Sequence, residues 1–273
     1  MYFERPPASI AEKADGDQTN PQQSVSHRHC RLCRREAPLQ HSHIIPEFMY
    51  KPIYDEKHRI HAMSTDPNLP NRHDRQKGIR ERLLCQDCET ILSVYEGYAS
   101  KLWYGGADVH FEKRNWGTYM SHIEYSKFKL FQRSILWRAA VSLLEYFKEI
   151  QIGAKHEQRL REMIRANDPG EPHEYGCLMC AIISDDLEGK TVNAVLTPER
   201  ISRIDGHTAY RFIFGGAGWV FLVSSHAASF RGRPLFLQRT GTLHVPVVKA
   251  EETGFFTGLA KTLVKLGKVP ITH

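Results

Sequence analysis

All six cysteines of this 273-residue chain fall in three C-x2-C pairs, Cys30/Cys33, Cys85/Cys88 and Cys177/Cys180. Scattered core cysteines rarely distribute this way, and the spacing is that of thiolates gripping one ion where the chain turns tightly. The first two pairs supply the four sulfurs of a tetrahedral site. Fifty-one residues separate Cys33 from Cys85, so an ion held there would clamp an inserted unit at its base and contribute on the order of 10 kcal/mol to a small domain. The third pair lies in an apolar β-type run, where positions three apart point to opposite faces, and reads as two core cysteines.

Paired cysteines act as metal ligands rather than disulfides in a reducing compartment. The N-terminus carries no apolar stretch of the kind a signal peptide needs, and the densest apolar run, Leu130 to Leu144, is interrupted by Arg133 and Arg138. The expectation is a cytoplasmic protein with no membrane association. A formal net charge of +6 favours a polyanionic partner.

Composition and periodicity divide the chain. Residues 1–26 hold three prolines and few apolar residues, and read as a disordered tail. Residues 27–106 form a first domain rich in Cys, His and Arg, with a helix expected over Gln86 to Tyr104; seven of the fifteen histidines fall here. Residues 107–170 read as a helical connector, with helical spacing of Phe128, Phe131, Ile135, Leu143 and Phe147 between 119 and 166. From 171 to 273 the pattern is that of an α+β domain: strands over Cys177–Ile183, Thr191–Leu196, Thr208–Phe214, Trp219–Val223, Pro234–Leu237 and Leu243–Val248, then an amphipathic helix Phe255–Leu266. Gly215-Gly216-Ala217-Gly218 lacks the Lys-Ser/Thr of a phosphate loop and reads as a hairpin turn. The fold class expected is α+β, with a C-terminal mainly antiparallel sheet.

Between the first two pairs lie Leu39-Gln40-His41-Ser42-His43-Ile44-Ile45-Pro46 and, at the second pair, Leu83-Leu84-Cys85-Gln86-Asp87-Cys88-Glu89. In this order, between two knuckles, the segment resembles the HNH endonuclease family, whose ββα-metal core is often closed by a structural zinc. The resemblance covers residues 27 to 100. It implies that Cys30, Cys33, Cys85 and Cys88 hold the zinc, that His43 is the general base, and that Glu89, where the family has Asn or His, faces a catalytic Mg2+ or other divalent cation. An imidazole titrating near 6.5 suits the base role.

The chain departs from the family pattern at Ser42, where an Asp ligand is common, and at Ser93. Residue spacing offers substitutes. Glu89, Ser93 and Glu96 share a helix face, and His41 shares a strand face with His43. Glu89 is the first choice of cation ligand, followed by Glu96 and His41, then Ser42. His58 and His61 have metal-like spacing within a polar loop. Basic residues flank both knuckles: Arg28, Arg31, Arg34 and Arg35 on one side, and Arg72, Arg75, Lys77, Arg80 and Arg82 on the other. They form a phosphate-binding footprint once a clamp brings the knuckles together.

The leading expectation is therefore a metal-dependent endonuclease acting on nucleic acid, DNA for preference, in a bacterial or phage-related setting such as phage defence. The C-terminal domain would then bind substrate, a protein partner or a second copy, or sense a signal. The alternative is a zinc-bound nucleic-acid-binding module that kept the scaffold and lost catalysis. A redox or metal-relay role for the C-x2-C pairs is disfavoured by the basic flanks.

Overall fold

A computed structural model of the chain describes residues 29–62, 73–76, 78–192, 194, 196–226, 228–253, 256, 258, 261 and 265. The expected tail 1–26, Arg28, Arg72, Lys77 and most of the expected closing helix lie outside the described residues.

The N-terminal unit is a strand pair running into a helix. Strands β1 (Leu39–His43) and β4 (Arg80–Cys85) pair antiparallel, from Leu39 opposite Cys85 to His43 opposite Arg80, with an irregularity between Gln40 and His41. Leu83 is the extra residue there, so that Leu83 and Leu84 are both buried, as a bulge allows. Cys85 ends β4 and caps helix α1 (Gln86–Tyr104) without a turn between them. Cys88, Leu92, Tyr95, Ala99 and Leu102 recur every three or four residues and are all buried, while Asp87 and Glu89 in the first turn complement the helix dipole. Gly105, at φ 81°, stops the helix. The loop between the two strands carries a 3-10 turn (Glu47–Ile53) and the short hairpin of β2 (Arg59–Ala62) and β3 (His73–Gln76).

The second layer is an eight-stranded sheet. Along it run β5 (His110–Arg114), β6 (Gly117–Ser121), β12 (Leu243–Lys249), β7 (Cys177–Ser184), β11 (Ala217–Val223), β10 (His207–Phe214) and β9 (Leu196–Ile204), with β8 (Lys190–Thr191) beside β7. Among the described residues only the β12/β7 pair is parallel. Gly215 and Gly216, at φ 60° and 74°, form the two-residue β10–β11 loop, the positive φ pair that such a hairpin needs.

Three expected elements differ. Residues 107–170 are not all helix: they open with the β5–β6 hairpin, which joins the sheet edge. All five β5 residues are exposed, so the strand lacks the alternation that betrays one. Pro234–Leu237 is a turn rather than a strand. Phe236 is apolar because it covers a small cluster with Phe230, Ala209 and Leu222. Thr191–Leu196 is not continuous; it straddles the end of β8 and the start of β9.

Helix α2 (Tyr125–Val141) lies alongside α1 and α3 (Ala154–Arg165) alongside α2, and Phe128 and Gln132 of α2 meet Trp219 and Met179 of the sheet. From Phe128 to Ala139 every α2 residue is buried, including Lys129, Arg133 and Arg138. Backbone carbonyls meet these cations: Lys129 donates to Pro172 O at 2.8 Å and Arg133 to Glu174 O at 2.6 Å, which buried charge requires. Trp103 of α1 stacks on Trp219 of β11 with ring centres 5.4 Å apart. One apolar core thus runs from the cysteine knuckles through α2 to the sheet.

Candidate functional site

The first knuckle is a tight turn. Arg34 N bonds to Cys30 O at 2.8 Å and Cys30 N to Arg35 O at 2.9 Å, with Arg34 at φ 67°. Arg31 N bonds to Leu83 O at 3.0 Å, which hangs the knuckle on β4. The second knuckle is the β4–α1 junction, where the first helical turn brings Cys88 back over Cys85. The four sulfurs lie within 4.8 Å of one another, and Cys33 Sγ is 3.8 Å from Cys85 Sγ. A tetrahedral ion with metal–sulfur bonds of about 2.3 Å separates its thiolates by about 3.8 Å, so the donor set fits such an ion. Among the described residues this is the only group of three or more metal-type donors so placed.

The sulfurs share protons unequally. A hydrogen bond from Cys88 pulls the Cys30 thiol down to about 4, and the same bond holds the proton on Cys88. Burial pushes Cys33 up, but the backbone and guanidinium of Arg35 outweigh it and leave the thiol below its usual range. Burial raises Cys85. The lowered Cys30 and Cys33 thiols favour the thiolate that metal binding demands.

Beside this cluster, β1 and α1 bring Ser42 and Glu89 together, while His43, next along β1, lies near Glu47, Arg80, Glu96 and Arg138. Ser42 is buried; its hydroxyl donates to Glu89 and accepts from Leu84 N at 3.2 Å. Burial raises the Glu89 carboxyl, against the lowering effect of Ser42 and Arg138. His43 Nε2 is buried and has no hydrogen-bond partner among the described residues. Burial lowers its pKa, Glu47 and Glu96 oppose that and Arg80 and Arg138 add to it, so the neutral ring is favoured. His41, expected on the same face as His43, is exposed, and the irregularity in β1/β4 pairing falls beside it. Glu96 is in an ion pair with Arg138 at 2.6 Å. Ser93 bonds to Thr90 O within its own helix. His58 stacks on Tyr54 and stands 3.7 Å from Glu47; the His61 side chain lies outside the described residues.

Arg138 is a neighbour of these residues that residue patterns did not single out. Reaching from α2 at 1% exposure, it donates to the backbone carbonyl of His43 at 2.6 Å and pairs with Glu96. Its signal was present: a charged residue inside the apolar run 130–144 must have buried partners.

The basic footprint is only partly free. Arg34 pairs with Glu157 of α3, Arg35 with Asp87, and Arg82 donates to Leu39 O at 3.1 Å. Arg31 and Arg80 make no ion pair among the described residues; the Arg75 side chain and Lys77 lie outside them. The third cysteine pair behaves as core: Cys177 is fully buried and Cys180 faces the other side of β7. No helix among the described residues is long and apolar enough to cross a membrane.

Comparison of the chain with protein-family models, curated proteins and solved structures gives no match.

Proposed function

We propose that this chain is a metal-dependent nuclease built on an HNH-like strand–strand–helix unit, with a structural zinc held by Cys30, Cys33, Cys85 and Cys88. The observation that carries the reading is His43: an imidazole at a strand end, its neutral form favoured by burial, whose buried Nε2 has no hydrogen-bond partner among the described residues and which lies in the field of Glu96 and Arg138. An unpaired acceptor in such a place is what a general base needs before water arrives.

In this reading His43 Nε2 takes the proton of the attacking water. Arg138 fixes the strand end through the His43 carbonyl and keeps Glu96 beside the ring, so that the imidazolium formed meets a carboxylate field. Ser42 orients Glu89. A hard divalent cation would use Glu89, waters and phosphate oxygens as ligands, since such ions commonly take one or two protein carboxylates and complete their shell from substrate; bound there it neutralises charge developing on the scissile phosphate. Arg31 and Arg80 supply uncommitted charge for the nucleic-acid backbone, DNA for preference.

With Mg2+ or Mn2+ the purified chain is expected to nick or cleave double-stranded DNA, single-stranded DNA or RNA. His43→Ala should lower the rate about 10²- to 10⁴-fold with zinc content and melting temperature retained. Cleavage by the variant at the parent's rate removes the assignment.

One observation favours a second reading. Ser42 and Glu89 close on each other and Glu96 is committed to Arg138, as in a zinc-bound module that binds nucleic acid without cutting it. Such a protein binds with a steep salt dependence and shows no cleavage with any divalent ion.

A further inference from the structure

A cavity of about 530 Å³, which shares no residue with the site above, opens where the turn after α3 meets the loop before β12. Arg231, Arg233 and Arg239 line it, with Glu171 as the one acid, together with His173 and Phe230. We propose that this cavity binds a small phosphorylated molecule of mononucleotide size.

Charge is the first reason. Three guanidiniums face one carboxylate, and that carboxylate is already engaged: Arg239 holds Glu171 in a two-pronged pair at 2.6 and 3.1 Å. Arg233 reaches an acid, Asp205, only at 4.0 Å, and Arg231 makes no ion pair among the described residues. Among the described residues the excess positive charge has no partner that matches it, and a guanidinium fork matches phosphate oxygens.

Preorganisation is the second. Arg239 lies over the Tyr125 ring at 5.4 Å and Arg233 over the Phe230 ring at 5.7 Å, which restricts both side chains before any ligand arrives. Gly232, at φ 73°, turns the chain between Arg231 and Arg233 so that both line the cavity. The opposite wall is suspended from inside. Lys129 and Arg133 of α2 bond to the carbonyls of Pro172 and Glu174, and His173 between them is 8% exposed. A volume of this order accepts a ligand of nucleotide size.

The test is titration of the full chain with inorganic phosphate, pyrophosphate and ATP, read by calorimetry and by thermal shift. Saturable binding of at least one at unit stoichiometry is expected. Arg231→Glu with Arg233→Glu should weaken it at least about tenfold while leaving the melting temperature without ligand unchanged. Lys113→Glu with Lys155→Glu, two exposed lysines elsewhere carrying the same charge change, should leave binding as it was. ATP exceeding pyrophosphate would place the organic body in the cavity, and equal affinity would assign the site to the phosphates alone; either supports the proposal. It is overturned if none of the three probes saturates, if the double arginine variant binds as the parent does, or if only an oligonucleotide binds.

Discussion

The two ends of this molecule use the same C-x2-C spacing to opposite effect. At the N-terminal end the residues between each pair make a turn or a first helical turn, and four sulfurs converge within 4.8 Å. In β7 the residues between Cys177 and Cys180 are extended, one thiol enters the core, and the other rests where Gly218 leaves room: a Cβ on that glycine would stand 2.8 Å from Cys180 Sγ. Spacing is a permission, and the backbone between the ligands decides whether it is used. The clamped end adds polar chemistry around Ser42, Glu89 and Arg138 to its buried apolar residues, while the sheet is held by aromatic and aliphatic packing.

The largest effect should come from breaking the clamp. Cys88→Ser is expected to abolish tight metal binding, measured as zinc per chain, and to remove stabilisation on the order of 10 kcal/mol from the N-terminal unit. Because Trp103 packs on Trp219 in a shared core, unfolding should remain one transition at lower temperature. Two well-separated transitions would mean that the ends are independent.

Next is the seam between them. Arg138→Met leaves Glu96 without its cation and His43 O without its donor, and should cost about 3–5 kcal/mol, seen by denaturant unfolding, with zinc content unchanged. If metal is lost as well, clamp and seam are one unit rather than two.

Much of this division could be read in advance. The α1 helix with its buried stripe, the wrapped helix around Phe128 to Ile135 and the glycine hairpin follow from patterns local in sequence, and the four-sulfur cluster from the repeated C-x2-C spacing. What could not be read depends on partners far along the chain. Arg34 and Arg35 look like free charge until Glu157 and Asp87 meet them. Ser42 looks like a lost ligand until Glu89 closes on it. β5 looks like loop because an exposed edge strand has no apolar face, and its pairing partner β6 is itself held by β12, more than a hundred residues later.

A third test bears on the polar end alone. Burial lowers the His43 pKa, so the folded protein favours the neutral ring, and a base function that needs the neutral ring persists as pH falls past the ordinary value of about 6.5. The acid limb of kcat/KM is therefore expected below about 6.5. Arg80→Ala removes a cation that favours the neutral ring and should move that limb upward. A limb that moves down on this substitution, or that does not move, detaches the cleavage activity from His43.

The smallest effect should come from the sheet. Cys177→Ala removes one sulfur from a fully buried position, and burial already holds that thiol in its protonated form, so the side chain acts as a small apolar group. Losing it leaves a small cavity beside Lys129, costing about 1–2 kcal/mol by the usual scaling of truncation with void size, and zinc per chain should equal that of the parent. Cys180→Ala should cost less, because that thiol is half-buried and its neighbour is a glycine. The sensitive comparison is the ratio of Cys88→Ser to Cys177→Ala in metal content, not in stability, since a destabilised core could lower both melting temperatures without touching the clamp. Loss of zinc on changing Cys177 would show that the third pair takes part in metal binding, and the contrast between turn and strand would fall with it.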